Sequence, residues 1–238
     1  MIKHLYDTFS HWYRGGSIYF YSDPHFADDE MKYIRKNYIG DDEQVRAINK
    51  KIGKKDTIVF LGDIGDVEFI KKIRGYKVLV MGNHDVGASK YKRDFVHLNY
   101  DLNMYTKDQA KQAAMELYPT YKLIECKEKL SLMNGNVWSI TLDNNLFDEV
   151  YEGPVLIGEK LMLSHEPMNY PFALNIHGHD HSGWGFNDIY HWNVCAENIE
   201  YTPVCIKEIV NSGRLKEVVT IHRATIDRAT EKSKMKVE

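Results

Sequence analysis

The sequence predicts an α/β fold with a mainly parallel sheet, and three observations support this prediction. Short apolar runs of strand type alternate with segments of helical period along the first third of the chain. Their order is strand, helix, helix, strand, helix, strand, which is typical of parallel sheets with helical connections. Each apolar run also stops at a polar loop, and ligands of open α/β sheets bind at such carboxyl ends of strands.

The first strand and the two helices after it follow from local signals. A β-type run covers 18–22 and stops at Asp23-Pro24-His25. Helices are predicted over 28–38 and 41–52. The second of these begins on acidic residues, which suit the positive end of a helix dipole, and it ends at Gly53.

Two more strands enclose a short helix that stops at Gly75. The run 57–61 is continuously apolar, which is the pattern of a buried strand, and it ends at Gly62-Asp63. The run 77–81 ends at Gly82-Asn83-His84-Asp85. Three strands of one predicted sheet therefore end in carboxylate, amide or imidazole side chains.

Residues 98–142 interrupt the alternation of strand-like and helical segments. They are predicted to be an inserted helical or irregular segment that caps the domain. Thr106 and Gln109 form a capping box, which opens a helix that continues to Tyr118 before Pro119. The alternative is that the segment contributes two further structural helices and a loop.

Strand-like runs return in the last part of the chain. The run 160–163 ends at Ser164-His165-Glu166, and the run that begins at Leu174 ends in Gly178-His179-Asp180-His181. The remaining predicted elements are strands at 153–157 and 190–195, a helical turn at 204–209 and a charged helical tail at 214–238. With an N-terminal lead-in at 1–16, the chain is predicted to be a single domain, 1–238.

Composition excludes several classes of protein. With 43% hydrophobic and 27% charged residues, the chain is of the soluble globular type, and it contains no apolar run of the ~20 residues that a membrane span needs. The net charge of −3 makes nucleic acid a possible but not a favoured partner. Cys126, Cys195 and Cys205 form no C-x-x-C pair, which favours a reduced, cytoplasmic protein. The oligomeric state is not predicted.

The strand ends share side chains that bind metals. One such residue alone has an ordinary explanation, because aspartate after a strand is a frequent turn former and a single histidine is usually a packed core residue. Five strand-like runs that all end this way predict a polynuclear metal site. The residues concerned are Asp23, His25, Asp63, Asn83, His84, His165, His179 and His181.

These strand ends resemble the motifs of the calcineurin-like metallophosphoesterases in order and in spacing. The matching motifs are Asp23-x-His25, Gly62-Asp63-x-x-Asp66, Gly82-Asn83-His84-Asp85, His165 and Gly178-His179-x-His181. The resemblance covers about 17–97 and 146–211 and leaves out the lead-in, the inserted segment and the tail. It implies a four-layer α/β/β/α sandwich, in which two sheets pack face to face between helices.

The resemblance also implies a set of metal ligands. One ion would be held by Asp23, His25 and His181, the other by Asn83, His165 and His179, and Asp63 would bridge the two. Asp63 suits this position because a carboxylate has two oxygens to share. Mixed oxygen and nitrogen ligands indicate two divalent transition-metal ions, with manganese favoured and iron, zinc, nickel or cobalt as alternatives.

The mechanism expected from this resemblance is attack on phosphorus by a hydroxide that bridges two metal ions. His84 is the imidazole that the family leaves off the metals, and it is assigned to charge stabilisation and to protonation of the leaving oxygen. Asp66 resembles the carboxylate that orients this histidine. Asp85 either assists His84 or supports the loop.

The predicted function is hydrolysis of a phosphodiester, with a nucleotide or another small phosphoester as substrate. The alternatives are a phosphomonoesterase of the same fold and a non-catalytic metal-binding scaffold that binds a partner through 98–142. Protein phosphatase activity is less favoured, because Val67 follows Asp66 where those enzymes usually have an arginine. The amino-acid sequences of the motifs are similar to those of bacterial and phage members of the family.

Overall fold

Two β-sheets and a separate smaller sheet organise the protein in its computed structural model, which describes residues 10–35, 37–131, 135–183 and 188–234. Residues 1–9 of the predicted lead-in and 235–238 of the predicted tail lie outside the described residues. In chain order the strands are β1 (Ile18–Tyr21), β2 (Thr57–Phe60), β3 (Tyr76–Val80), β4 (Phe95–Asp101), β5 (Lys122–Ser131), β6 (Gly135–Asp143), β7 (Glu149–Tyr151), β8 (Val155–Ile157), β9 (Leu161–Leu163), β10 (Leu174–His177), β11 (His191–Asn193) and β12 (Val204–Cys205).

Seven α-helices accompany these strands among the described residues. They are α1 (Met31–Ile34), α2 (Asp41–Lys51), α3 (Val67–Ile70), α4 (Lys107–Leu117), α5 (Ile206–Asn211), α6 (Arg214–Glu217) and α7 (Ile221–Lys234). None of the helices in the described part of the chain has the length and apolar character to cross a membrane. The predicted helix at 28–38 is reduced to α1, because the backbone becomes extended at Arg35 and turns that side chain into the interior.

The first sheet has the strand order β12-β1-β2-β3-β7, in which β1, β2, β3 and β7 are parallel and β12 is antiparallel to β1. Its central strand, β2, is buried at every position, as expected for a parallel strand covered on both faces. The second sheet has the order β11-β10-β9-β8, in which β9, β10 and β11 are parallel and β8 is antiparallel.

One hydrophobic core joins the two sheets. Phe20 and Val59 of the first sheet share it with Leu163 and Ile176 of the second. A second core lies on the other face of the first sheet, where Ile48 of α2 and Ile70 of α3 pack with residues of β2. Helix on sheet and sheet on sheet is the layering of an α/β sandwich, and this predicted fold is confirmed.

Strands β4, β5 and β6 form an antiparallel sheet of order β4-β6-β5 with α4 packed on it, and we call this unit the inserted sheet. The predicted helix is present, and the capping box of Thr106 and Gln109 opens it. The three strands were not predicted. They form because apolar side chains alternate along β4 and β6, which places one apolar face against Ala110 and Ala114 of α4.

Candidate metal centre

The carboxyl ends of five parallel strands meet where the two sheets adjoin. The loops after β1, β2 and β3 come from the first sheet, and those after β9 and β10 come from the second. The backbone N–H of His179 donates to Asp23 Oδ2 at 2.9 Å, which ties the second sheet to the first. Within the second sheet, the Gly178 N–H donates to the His165 carbonyl at 2.9 Å. The predicted ligand residues therefore lie together.

A first ligand group consists of Asp23, His25 and His181. Each residue offers one ligand atom, and these atoms lie within 4.8 Å of one another. Nε2 of His181 is 3.5 Å from Asp23 Oδ1, and Nε2 of His25 is 3.9 Å from the same oxygen. Asp23 is fully buried, whereas both histidines are partly accessible.

A second ligand group consists of Asp63, His165 and His179, whose ligand atoms also lie within 4.8 Å of one another. Nε2 of His165 is 3.4 Å from Asp63 Oδ2 and 3.1 Å from Nδ1 of His179. Asn83 adjoins the group, since its Oδ1 is 2.8 Å from Nε2 of His165. Asn83 and His179 are exposed, so this group is open to solvent.

Asp63 lies between the two groups. Its Oδ2 atom is 3.6 Å from Nε2 of His25 on one side and 3.4 Å from Nε2 of His165 on the other. Its Oδ1 atom accepts a hydrogen bond from the His84 backbone N–H at 3.0 Å. This is the position that a bridging carboxylate would occupy.

The first group contains polar atoms that a cation would satisfy. Asp23 Oδ1 and His25 Nε2 are buried and have no hydrogen-bond partner among the described residues. Buried polar atoms are normally paired, because leaving them unpaired costs free energy. Imidazole and carboxylate donors turned toward one point suit a divalent transition metal, so the residues present fit such an ion.

The backbone of the ligand residues is strained. Asp23, His25, Asp63 and His179 have φ values of 55°, 45°, 52° and 65°, in the left-handed region that non-glycine residues seldom adopt. Strain of this kind persists where the surrounding structure enforces it, and it concentrates at functional sites. These four residues lie in the loops that follow β1, β2 and β10, and their backbone conformation turns the loops toward a common centre.

Two glycines allow the loops to approach one another. A Cβ atom on Gly178 would lie 2.0 Å from Ser22 Oγ and 2.2 Å from Asp23 Oδ2. A Cβ on Gly62, whose φ is +93°, would lie 2.6 Å from Nδ1 of His165. Both positions require the absence of a side chain.

Hydrogen bonds and charges set the state of His165. Its Nδ1–H donates to the Leu61 carbonyl at 2.8 Å, which turns Nε2 toward Asp63. Burial alone would lower the pKa of His165, but the carboxylates of Asp63 and Asp23 outweigh burial and raise that pKa to about 9. The negative charge around this ring therefore favours a positive charge on or beside Nε2, either a proton or a metal cation.

His84 lies at the mouth of the site. Its side chain is 68% exposed, and its Nε2 atom is 4.0 Å from Asp63 Oδ2. The prediction that Asp66 orients His84 is wrong for this structure. Asp66 is exposed, and its Oδ1 accepts the Glu68 N–H at 2.9 Å as the N-cap of α3, so local helix capping determines its position.

Asp85 supports the loop, which was the second of the two roles considered for it. Its buried carboxylate accepts the backbone N–H groups of Gly82, Asp63 and Ile64 at 2.8, 2.9 and 3.1 Å. It therefore fastens the loop after β3 to the loop after β2.

Three residues that sequence reasoning did not connect with the site contact it. Glu197 Oε1 is 2.6 Å from Nδ1 of His181, Arg35 Nη2 donates to the Asp23 carbonyl at 2.8 Å, and Cys195 Sγ donates to Asp23 Oδ2 at 3.2 Å. The carboxylate of Glu197 is the main cause of the raised pKa of His181. The only sequence signal was that Cys195 ends the predicted strand 190–195 and that Glu197 follows it closely.

A groove of about 330 Å³ adjoins the second ligand group and includes Asn83 and His165 in its wall. Apolar side chains of Met81, Pro154 and Met168 line part of it, beside the carboxylates of Glu152 and Glu166. The described residues that line the groove include no lysine and no arginine.

Comparison with known proteins gives one family and one structural likeness. A family model described as calcineurin-like phosphoesterase matches residues 16–206. Among solved structures, the chain is similar to AQ665, a protein of unknown function from Aquifex aeolicus, with 20% identity and a TM-score of 0.49. That alignment covers 82% of this chain and 98% of the other. No curated protein matches the chain.

Proposed function

The chain belongs to the calcineurin-like phosphoesterase family, a family of metal-dependent phosphoester hydrolases, and from this premise we propose that it is a phosphodiesterase. Its proposed substrate is a nucleotide or another small organic phosphodiester. The proposed reaction is hydrolysis: a water oxygen bonds to phosphorus, one ester P–O bond breaks, and the departing oxygen gains a proton.

Two divalent metal ions are proposed as cofactors, with manganese favoured. Asp23, His25 and His181 would hold one ion and Asn83, His165 and His179 the other, with Asp63 shared. When bound, the ions supply Lewis-acid chemistry, since their positive charge polarises the phosphoryl oxygens. The unpaired Asp23 Oδ1 and His25 Nε2 atoms support this assignment.

His84 is the proposed proton donor to the leaving oxygen. Its ring is exposed beside both ligand groups, and the hydrogen bond from its backbone N–H to Asp63 Oδ1 fixes the residue to the centre of the site. An imidazole suits this role because its ring N–H can pass a proton to an oxygen at hydrogen-bond distance.

The groove beside the second ligand group supports a diester substrate over a monoester. A phosphomonoester is a dianion near neutral pH, whereas a diester carries one negative charge and a second organic substituent. The groove offers apolar surface for that substituent, places two glutamates beside it and, in its described lining, has no lysine or arginine to attract a second charge.

The test compares bis-p-nitrophenyl phosphate with p-nitrophenyl phosphate after loading with Mn²⁺, Ni²⁺ or Zn²⁺. We expect a higher kcat/KM for the diester. A higher kcat/KM for the monoester would contradict the diester proposal. Absence of cleavage of either compound by protein that holds two ions would contradict the enzymatic proposal and favour the scaffold alternative.

Diphenyl phosphate tests the role of His84, because phenol is a poorer leaving group than p-nitrophenol and needs its proton more. For His84→Ala we expect a fall in kcat of about 10²–10⁴ with diphenyl phosphate and a smaller fall with the nitrophenyl diester, with two ions retained. Equal losses on both diesters would show that His84 does not protonate the leaving oxygen.

A further inference from the structure

A buried ion pair lies directly behind the first ligand group. Nε of Arg35 is 3.5 Å from Glu197 Oε1, and the two side chains are only 1% and 14% exposed. Arg35 is the C-cap residue of α1, and Glu197 comes from the 3₁₀ turn Ala196–Ile199 that follows β11. Neither residue belongs to a motif that the sequence analysis identified.

This ion pair has features that stability alone does not explain. Burying a guanidinium and a carboxylate is costly unless every donor and acceptor is paired. In the described part of the chain, Arg35 Nε, Arg35 Nη1 and Glu197 Oε2 have no hydrogen-bond partner. The atoms of the pair that do make hydrogen-bond contacts make them with ligand residues: Glu197 Oε1 lies 2.6 Å from His181 Nδ1, and Arg35 Nη2 lies 2.8 Å from the Asp23 carbonyl oxygen.

The contact with Glu197 determines which nitrogen of His181 is available. A carboxylate can only accept, so Nδ1 of His181 carries the proton that Glu197 binds. The lone pair of the neutral ring is then on Nε2, the atom that lies 3.5 Å from Asp23 Oδ1. A carboxylate behind a metal-binding histidine fixes the ring and strengthens it as a donor.

Arg35 acts on the same arrangement from the other side. It holds Glu197 by charge and the Asp23 backbone by a hydrogen bond. Since Glu197 is the partner of His181, this one side chain acts on two of the three residues in the first ligand group. Its Nη2 atom is also 3.5 Å from Nδ1 of His181. The guanidinium balances the charge of the buried glutamate.

We propose that Glu197 and Arg35 are positioning residues of the first ligand group: Glu197 holds His181 with Nε2 toward Asp23, and Arg35 holds Glu197 and the Asp23 backbone in place. This inference rests on the proposed metal site. It adds two residues that touch neither substrate nor metal and that act through His181 and Asp23.

The test is calorimetric titration of the metal-free full chain with Mn²⁺, with no substrate present. For wild type we expect two bound ions. For Glu197→Gln we expect one ion to bind about 10–100-fold more weakly while the other is unchanged. The matched control is Glu200→Gln, an exposed glutamate three positions later, which should bind both ions as wild type does.

A double substitution separates positioning from a general effect on folding. In a His181→Asn background, adding Glu197→Gln should weaken Mn²⁺ binding no further, because Glu197 would have no imidazole to orient. A further loss there, or wild-type affinity for both ions in Glu197→Gln, would overturn the inference.

Arg35→Lys provides a second variant that keeps the charge but loses the planar guanidinium that contacts Glu197 and the Asp23 carbonyl together, and we expect a smaller loss of affinity for the same ion. Unchanged binding in Arg35→Lys and in Arg35→Met would remove Arg35 from the proposal. Failure of the proposed metal site would appear in wild type itself, which would then bind fewer than two Mn²⁺ ions, and failure of the proposed activity would appear in the diester assay, with metal binding unaffected.

Discussion

The ligand loops and the inserted sheet are built in opposite ways. In the inserted sheet, no described residue other than glycine has a positive φ, β4 and β6 pair in continuous register, and α4 begins with a complete capping box. In the ligand loops, four of the seven proposed ligands have left-handed backbone, and two buried polar atoms lack partners. The contrast separates a region in which local preferences agree with the fold from one in which they are overridden to gather donors for a cation.

Asp63 gives the largest expected effect, because both ligand groups use it. For Asp63→Asn we expect loss of both ions at micromolar metal and a fall in turnover of about 10³-fold, which exceeds the 10–100-fold cost of losing an outer partner. The amide can still accept the His84 N–H, so the metal-free protein should keep its unfolding temperature to within a few degrees. Metal analysis and thermal unfolding measure the two effects.

Asp66→Asn is the matched control, because it changes the same charge three residues away. Asparagine also caps helices, so this variant should retain both ions and most of its turnover. A loss comparable to that of Asp63→Asn would show that Asp66 reaches the site after all.

Gly178→Ala tests whether the close approach of the loops is required. The added methyl group would collide with Ser22 Oγ and Asp23 Oδ2, so we expect about 1–3 kcal/mol of destabilisation and weaker binding of one ion. Gly153→Ala is the control, because no atom lies within 4 Å of its Cβ position. Equal metal affinity in both variants would argue against a steric role for Gly178.

Asp143 extends the comparison to the inserted sheet. It is buried and accepts hydrogen bonds from Arg93 Nε, at 3.0 and 3.1 Å to its two oxygens. For Asp143→Asn we expect a loss of about 1–3 kcal/mol in the free energy of unfolding, with metal binding unchanged. Asp108→Asn, at an exposed site on α4, should cost less than about 0.5 kcal/mol.

The effect of Asp143 depends on pH. Burial tends to raise the pKa of Asp143, but the hydrogen bond from Arg93 and the Asn145 N–H outweigh it and lower that pKa. The stabilisation is therefore complete above the unfolded value of about 3.9 and disappears as the pH falls through the lower folded value. Urea unfolding at pH 7 and at pH 3 should show the advantage of wild type over Asp143→Asn shrinking in acid.

Thr106→Ala gives the smallest expected effect. It removes one side-chain cap from α4 and should cost about 1 kcal/mol, while Thr106→Ser should cost little. Both variants should bind two ions with wild-type affinity, and a change in affinity would mean that the inserted sheet is coupled to the metal centre.

The strand ends could be predicted from sequence because the candidate ligands lie within a few residues of the end of an apolar run, and such signals are local. Glu197 and Arg35 could not be predicted in the same way, since Arg35 reaches His181 across 146 residues and only the tertiary fold brings them together. Asp66 is the opposite case. It stands at the motif position of the orienting carboxylate, but in the structure it caps α3. The strands of the inserted sheet were not predicted because 98–142 is rich in Asn and Lys, which are depleted in strands, and its clearest local signal, the capping box, is that of a helix.

The distribution of the ligands along the chain has a consequence for synthesis. A nascent chain that has emerged as far as β7 carries Asp23, His25, Asp63 and Asn83 but still lacks the three histidines of the second sheet. Neither ligand group is complete until β10 and the loop after it have left the ribosome. Metal uptake would therefore follow translation of the second sheet, and the ion would act as a late cross-link between the early and late parts of the polypeptide.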